Sequence, residues 1–306
     1  MGTHDALPDD RNADVQIFIN GEFFHRAEAK ISVFDSGYLV GDGIWEGIRL
    51  HNGTFAFLKE HLDRLFQGLQ AVDIDLGMTR EELIAALYAT TATDRNDMFD
   101  DVHVRLMVTR GIKKTPSQHP DLTISGPNIV IIAEHKIANT AVATNGISLF
   151  TATIRRPPPD TLDQKLNSHS KLHEVVALIQ ATHAGADEAL MLDTNGAVAT
   201  CNATNFFIVK NGAVYTSTGQ HNLHGITRGK VIEVARAADI PVDQCDFSLV
   251  DVYSADEAFV TGTFGALTPV HTIDGRSIGD GRRTMTDVLQ SLYAIAVERN
   301  VQEFAR

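Results

Sequence analysis

The sequence predicts a two-domain α+β protein. Three observations carry that reading. Strand-like and helix-like stretches alternate in both halves without the regular β-α-β rhythm of a doubly wound sheet. Asn-Gly pairs flanked by short apolar runs recur as hairpin turns. One small, polar stretch near the middle, HKIANTAVATNG, separates the halves. The 306 residues suffice for two domains of roughly 150 each. The boundaries expected are a disordered N-terminus over 1–14, a small α+β domain over 15–135, a linker over 136–145 and a larger α+β domain over 146–306.

Taken in order, VQIFINGEFF reads as a hairpin about Asn20-Gly21, and RLHNGTFAFL repeats the device at Asn52-Gly53. From Lys59 to Val72 the apolar residues Leu62, Leu65, Phe66 and Leu69 recur at helical spacing. Thr79 followed by Glu82 is a capping-box pattern opening EELIAALYAT. VHVRLMVTRG and NIVIIAEHK read as buried strands. After the linker, ISLFTATI is a strand and RRPPPDTLD a rigid extended loop. HSKLHEVVALIQATHAG is a helix stopped by Gly185, and EALMLDTNGAVATC and NFFIVKNGAVYTS form a hairpin-rich β region. The helix GKVIEVARAADI, the strand EAFVTGTF and a final helix from about Thr284 to Val297 complete the chain.

Composition narrows the function classes. Hydrophobic residues make up 43% and charged residues 21%, so a core of ordinary size is available. A formal net charge of -13 argues against a nucleic-acid surface, which needs a basic patch, but leaves room for a small anionic ligand held by a few local cations. Two cysteines, Cys201 and Cys245, are too few for a disulfide framework and lack metal-ligand spacing. MGTHDALPDDRNADVQ lacks the apolar core of a signal peptide. No apolar run approaches the roughly 20 residues of a membrane span. The expected setting is a reducing cytoplasm.

Three stretches carry chemistry. In LHGITRGKVIEV a glycine turn leads through Ile226, Thr227 and Arg228 into a helix, whose first N–H groups and dipole suit a phosphate. In FVTGTFGALTP a strand enters a turn with Thr261, Thr263 and Gly265, where glycine lets backbone approach a ligand and threonine offers neutral donors. In EHLDRL, Arg64 stands on an otherwise apolar-faced helix. Each alone reads more readily as ordinary structure. Taken together and in order, with GYLVGDGIWEGIR at 37–49, GADEALMLD at 185–193, ADEAFVTGTFGALTP at 255–269 and DGRSIGDG at 274–281, they resemble the class IV aminotransferases, the pyridoxal-phosphate enzymes of fold type IV. The resemblance spans residues 15–300. Glu46-Gly47-Ile48-Arg49 leans toward the branched-chain members, and Gly41-Asp42-Gly43 is shared with the D-amino-acid members.

The resemblance implies pyridoxal 5'-phosphate as cofactor, a D-amino-acid-aminotransferase-like fold and a homodimer. It implies transfer of an amino group between an amino acid, branched-chain-like or a D-amino acid or amine, and a 2-oxo acid. A lyase of the same fold, similar to aminodeoxychorismate lyase, or a cofactor-binding protein with impaired catalysis, stands as the alternative. By the same resemblance Arg64, the N–H groups of Ile226 and Thr227, and Thr263 hold the cofactor phosphate, and Asn205 belongs to the cofactor set. Tyr38, Trp45, Arg105, Phe264 and Gly265 shape the substrate site. The Arg and His with which D-amino-acid members take the substrate carboxylate are replaced by Thr115 and Ser117; Lys113 and Lys114 are the nearby cations.

Two positions depart from the family pattern. The chemistry needs a lysine that bonds to the cofactor's aldehyde carbon and then moves the α-proton. Aligned without gaps, RRPPPDTLDQKLNSHSKL puts Asn167 at that position. Lys171 falls four residues on, where relatives often keep a Tyr beside the cofactor's phenolic oxygen, and i, i+4 share a helix face. Lys165 is the rival, and the absence of any cofactor lysine stays open. The carboxylate that keeps the pyridine nitrogen protonated is replaced by Thr200, so the electron sink is expected to be weaker. Cys201 reads as a packed residue. His169 and His173 at i, i+4 have metal-chelating spacing, but no third ligand follows, and no metal is expected.

Overall fold

The structure, a computed structural model, describes residues 2–305. The chain divides into two compact units. The smaller comprises Leu7–Ile137, Leu166–Ser170 and the chain from Asn300 onward; the larger comprises the N-terminal stretch through Ala6, Ala138–Lys165 and Lys171–Arg299.

In the smaller unit, β1 (Gln16–Ile19) and β2 (Glu22–His25) form the first hairpin. Its turn residues Asn20 and Gly21 both take positive φ, as a two-residue hairpin loop of this kind requires. A short α1 (Ser36–Val40) precedes β3 (Gly43–His51), which turns at Asn52-Gly53 into β4 (Thr54–Phe55). Then come α2 (Leu58–Ala71), α3 (Arg80–Thr91), β5 (Val102–Thr109) and β6 (Asn128–His135). The capping box of Thr79 and Glu82 is formed in both directions. The six strands run in the order β2-β1-β6-β5-β3-β4. Alternate residues of β5 (Val102, Val104, Leu106) join Ile44, Ile48 and Leu50 of β3, Ile131 and Ala133 of β6, and Leu62, Leu65, Leu83 and Leu87 of the helices in one core.

The edge of β3 carries one further piece of chain. Trp45 N–H donates to Asn167 O at 2.9 Å, and His169 N–H donates to Gly43 O at 2.9 Å. Residues 166–170 therefore lie extended along β3 rather than in a helix. Gly43 permits this, since a Cβ there would overlap Val108 O and press on the His169 ring.

The larger unit contains α4 (Thr140–Asn145), β7 (Ile147–Thr151), α5 (Pro159–Leu162), α6 (Leu172–His183), β8 (Glu188–Leu192), β9 (Val198–Cys201), β10 (Asn205–Lys210) and β11 (Ala213–Thr216). It continues with α7 (Ile226–Ala237), β12 (Val242–Gln244), α8 (Leu249–Tyr253), β13 (Glu257–Gly262), β14 (Ala266–Ile273), β15 (Arg276–Ser277) and α9 (Thr284–Glu303). The sheet order is β12-β11-β10-β13-β14-β7-β8-β9, with β15 paired to β14. The pairs β11–β12, β14–β7 and β7–β8 are parallel. Phe207 and Phe259 stack at 4.8 Å in the register of β10 and β13. Ala177 and Ala181 of α6 pack on Ala189 and Met191 of β8.

Four expectations need correction. Residues of the N-terminal stretch are not disordered: Thr3 is buried, Ala6 bridges Ala138, Leu7 N–H donates to Ile137 O, and Asp9 caps a 3-10 turn over Asp10–Ala13. Composition alone does not reveal these distant partners. The linker holds α4, capped by Asn139. The proline-rich loop ends in the single turn of α5, with Pro159 at its first position. The helix read from His169 begins only at Leu172, because residues 166–170 are taken by β3.

The start of α1 is fixed by the buried Asp35, which accepts from Gly37 N, Tyr38 N, Thr109 Oγ1 and Asn128 Nδ2. Asp35→Ala leaves several donors unsatisfied and is expected to lower the unfolding free energy by about 2–4 kcal/mol in a urea titration. A loss below about 0.5 kcal/mol, the usual range of surface substitutions, would contradict that role.

Candidate active site

In the larger unit, α7 opens at Gly225 without any side-chain cap. Glycine is required there because a Cβ would overlap Asn205 Oδ1, while Asn205 Nδ2 donates to Leu223 O at 3.0 Å and holds the turn. Thr261 lies directly across from Asn205 in the β10–β13 register, and its buried hydroxyl has no hydrogen-bond partner. Thr227 is buried with its hydroxyl 3.4 Å from Tyr293 OH. Thr263 is half-buried in the turn after β13. Arg228, one residue on from Thr227, donates through Nη2 to Ser217 O at 2.7 Å and Gln244 Oε1 at 2.9 Å, and its buried Nε has no partner. Burial pushes the Arg228 pKa down to about 10. A helix N-terminus, a neighbouring buried cation without a carboxylate, and an unsatisfied hydroxyl make this end of α7 suited to a dianionic phosphate. The residues present fit that part of pyridoxal 5'-phosphate.

The lysine position fits differently. Asn167 is buried; its Nδ2 donates to Trp45 O at 2.7 Å and its Oδ1 is unsatisfied. An amide cannot bond to an aldehyde carbon as an amine does. Lys165 is largely exposed, 3.9 Å from Asp163. Lys171 is the N-cap residue of α6, and its Nζ is 3.5 Å from Glu174 Oε1. Glu174 is buried and also accepts from Arg156 Nη1 at 2.9 Å, with His173 Nδ1 at 3.1 Å from its other oxygen. Burial alone would raise the Glu174 pKa, but Lys171, Arg156 and His173 outweigh it and hold the carboxyl below its ordinary value. Burial lowers the His173 pKa. His169 is not on α6, so the helical i, i+4 pairing with His173 is not formed.

Thr200 is buried and donates its hydroxyl proton to Thr204 O at 2.7 Å. Cys201 is buried, and desolvation, with Glu188 nearby, pushes its thiol well above the ordinary range, which makes it a packing residue. Glu188 accepts from Thr204 Oγ1 at 2.8 Å and from the N–H and hydroxyl of Thr3. Thr3 in turn backs onto Gly265, where a Cβ would press on it. Phe264 is buried.

In the smaller unit, Arg64 gives its Nε–Nη2 edge to Glu46, at 2.8 and 2.7 Å, and His61 Nδ1 lies 2.7 Å from the same carboxylate. Glu46 is fully buried; burial would raise its pKa, but Arg64 and His61 together bring it below the ordinary value. Arg105 lies over the Trp45 ring, 3.9 Å from the centroid. Burial lowers its pKa, against the opposing pull of Glu134. Tyr38 on α1 is 76% exposed. Lys113 is not a surface cation: it is 1% exposed and donates to His119 O at 3.0 Å, leaving Lys114 as the exposed one.

Sequence reasoning missed Glu46 and His61 as the holders of Arg64, and Arg156 and Glu174 as the neighbours of Lys171. The signals were present: Glu174 stands at i+3 from Lys171, the spacing of a helical ion pair. Glu46 and His61 lie on different elements, and nothing local couples them.

A family model described as amino-transferase class IV matches residues 43–273. The chain belongs to the class IV aminotransferases, a family of pyridoxal-phosphate enzymes, and has their α+β fold. It is 40% identical over 291 residues to branched-chain-amino-acid aminotransferase-like protein 1 of Arabidopsis thaliana, covering 94% of this chain and 52% of that protein. The chain thus spans about half the length of the first curated relatives it matches. A D-alanine aminotransferase of Listeria monocytogenes is 32% identical, over 95% of this chain and 100% of that one. The solved branched-chain aminotransferase of the thermophilic archaeon Thermoproteus uzoniensis, with norvaline, superposes with a TM-score of 0.83 at 26% identity, over 94% of this chain and 98% of that one.

Glu46 has a depressed pKa in the folded protein, so its stabilisation is present above the ordinary carboxylate range and is lost as pH falls through its folded value. Glu46→Gln should therefore cost about 2–4 kcal/mol of unfolding free energy near pH 7. The gap to the parent protein should narrow below about pH 4. A gap that stays constant with pH in urea titrations would rule out an ionised Glu46.

Proposed function

We propose that the chain is a pyridoxal-phosphate-dependent aminotransferase that moves an amino group between an amino acid and a 2-oxo acid, with Lys171 as its cofactor lysine. One observation carries this reading: a primary amine at the head of α6, beside a buried carboxylate, in the same unit as a helix N-terminus prepared for phosphate. The relatives point to a branched-chain or a D-amino acid as donor. When bound, the cofactor supplies a ring that accepts the electron pair left by loss of the α-proton.

The chain's own residues have the following roles in this reading. Ile226 and Thr227 N–H and Thr263 bind phosphate, Asn205 fixes the turn that presents them, and Arg64, oriented by Glu46, is a further phosphate partner. Lys171 Nζ takes the proton from the α-carbon and returns it. Thr200 faces the ring nitrogen and, with its proton committed to Thr204, offers a neutral acceptor in place of a carboxylate. Arg105 receives the substrate carboxylate, and Tyr38, Trp45, Phe264 and Gly265 form the substrate walls. The enzyme acts as a homodimer in the cytoplasm; among the described residues no helix is long and apolar enough to cross a membrane. Asn167 and Thr200 favour one other reading, a cofactor-binding protein with impaired catalysis.

Absorbance of the purified protein with the cofactor, then borohydride reduction and peptide mass mapping, tests the assignment. The adduct is expected on Lys171 and should vanish in Lys171→Ala; an adduct on Lys165 would reject it. Thr200→Glu should speed the half-reaction with a reactive amino acid by about tenfold or more, since a carboxylate keeps the ring nitrogen protonated. Cofactor binding without any half-reaction across L- and D-amino acids and amines would select the impaired reading.

A further inference from the structure

The first turn of α6 is built against ordinary helix chemistry. Its N-cap is Lys171, which makes no capping bond. Ser, Thr, Asp or Asn would serve a purely structural start better, and a cation there opposes the helix dipole. Glu174, in the same turn, is buried as an ionised group, which is costly unless its oxygens are matched. One oxygen, Oε1, accepts from Arg156 of the segment after β7 at 2.9 Å and from Lys171 Nζ at 3.5 Å, while the other, Oε2, lies 3.1 Å from His173 Nδ1 and has no hydrogen-bond partner. Arg156 is itself fixed, its Nε donating to His221 O at 3.1 Å, while His221 Nε2 lies 3.7 Å from Asp193. Gln164 Oε1 completes the surround, 3.1 Å from His173 Nε2.

We infer that Glu174 is the positioning residue of Lys171: anchored by Arg156, its carboxylate holds the amine at the head of α6 and governs when that amine can react. The inference rests on the reading of Lys171 above. It supplies this site with a carboxylate that position 200 lacks, placed at the amine rather than at the ring nitrogen.

Bond formation requires the neutral amine. The nitrogen of Lys171 joins the aldehyde carbon, the carbonyl oxygen leaves as water with two of the ammonium's three hydrogens, and one hydrogen and the charge stay on nitrogen. A carboxylate beside the ammonium holds it protonated to higher pH; removing the carboxylate frees the amine at lower pH. Arg156 and the dipole of α6 act in the opposite sense.

The test uses the full chain with pyridoxal 5'-phosphate as probe. Adduct on Lys171 is trapped with borohydride across a pH series and quantified by peptide mass mapping, with circular dichroism to confirm folding. In Glu174→Gln the pH of half-maximal trapping should fall by about one unit or more. Glu174→Asp, which withdraws the carboxylate but keeps its charge, should shift it less and in the same direction, and serves if the glutamine variant does not fold. Trapping on Lys171 with the same midpoint in all three proteins would overturn the inference and leave the lysine assignment standing. Trapping on Lys165 in the unaltered chain would overturn the assignment itself, and the inference with it.

Discussion

The pairing of residues 166–170 with the edge of β3 is the constraint on which the site's chemistry depends. It holds Asn167 by backbone and side chain to Trp45, so the position that the family pattern gives to lysine becomes a structural amide. It delays the start of α6 to Leu172 and so makes Lys171 the N-cap. A lysine in the middle of that helix would point along its side. At the cap it stands at the helix mouth, next to the first-turn Glu174.

Two buried carboxylates, Glu46 in the smaller unit and Glu174 in the larger, each face a guanidinium and a histidine, whereas buried Asp35 and Glu188 accept from neutral donors. Such clusters are weak sources of stability, because desolvation takes back most of the Coulomb attraction. They are strong sources of geometry, since removing one member strands the others. Arg228 is a buried cation bonded to a carbonyl and an amide oxygen, as buried Lys113 is bonded to a carbonyl. Burial depresses the Arg228 pKa, and a bound anion would supply a counter-charge.

Much of the fold was legible because it is encoded locally. Asn-Gly pairs fixed the hairpins at 20–21 and 52–53, periodicity marked α2, and Thr79 with Glu82 marked α3. What failed was encoded at a distance. His169 reads as helical until β3 claims its backbone. Thr3 looks solvated until Glu188 and Gly265 enclose it. Lys113 looks like a surface cation, but the loop folds over it. For the site, the ordered motifs pointed to Arg64, Thr227 and Thr263, yet which carboxylate orients which cation depends on contacts between elements far apart in sequence.

The division into units has a consequence for how the molecule can be taken apart or inherited. The chain passes between them at Ala6/Leu7, Ile137/Ala138, Lys165/Leu166, Ser170/Lys171 and Arg299/Asn300. Neither unit is a continuous stretch, so one nick in the 136–145 region leaves two fragments that each carry chain belonging to the other's architecture. Gene shuffling at that point would not yield an exchangeable module.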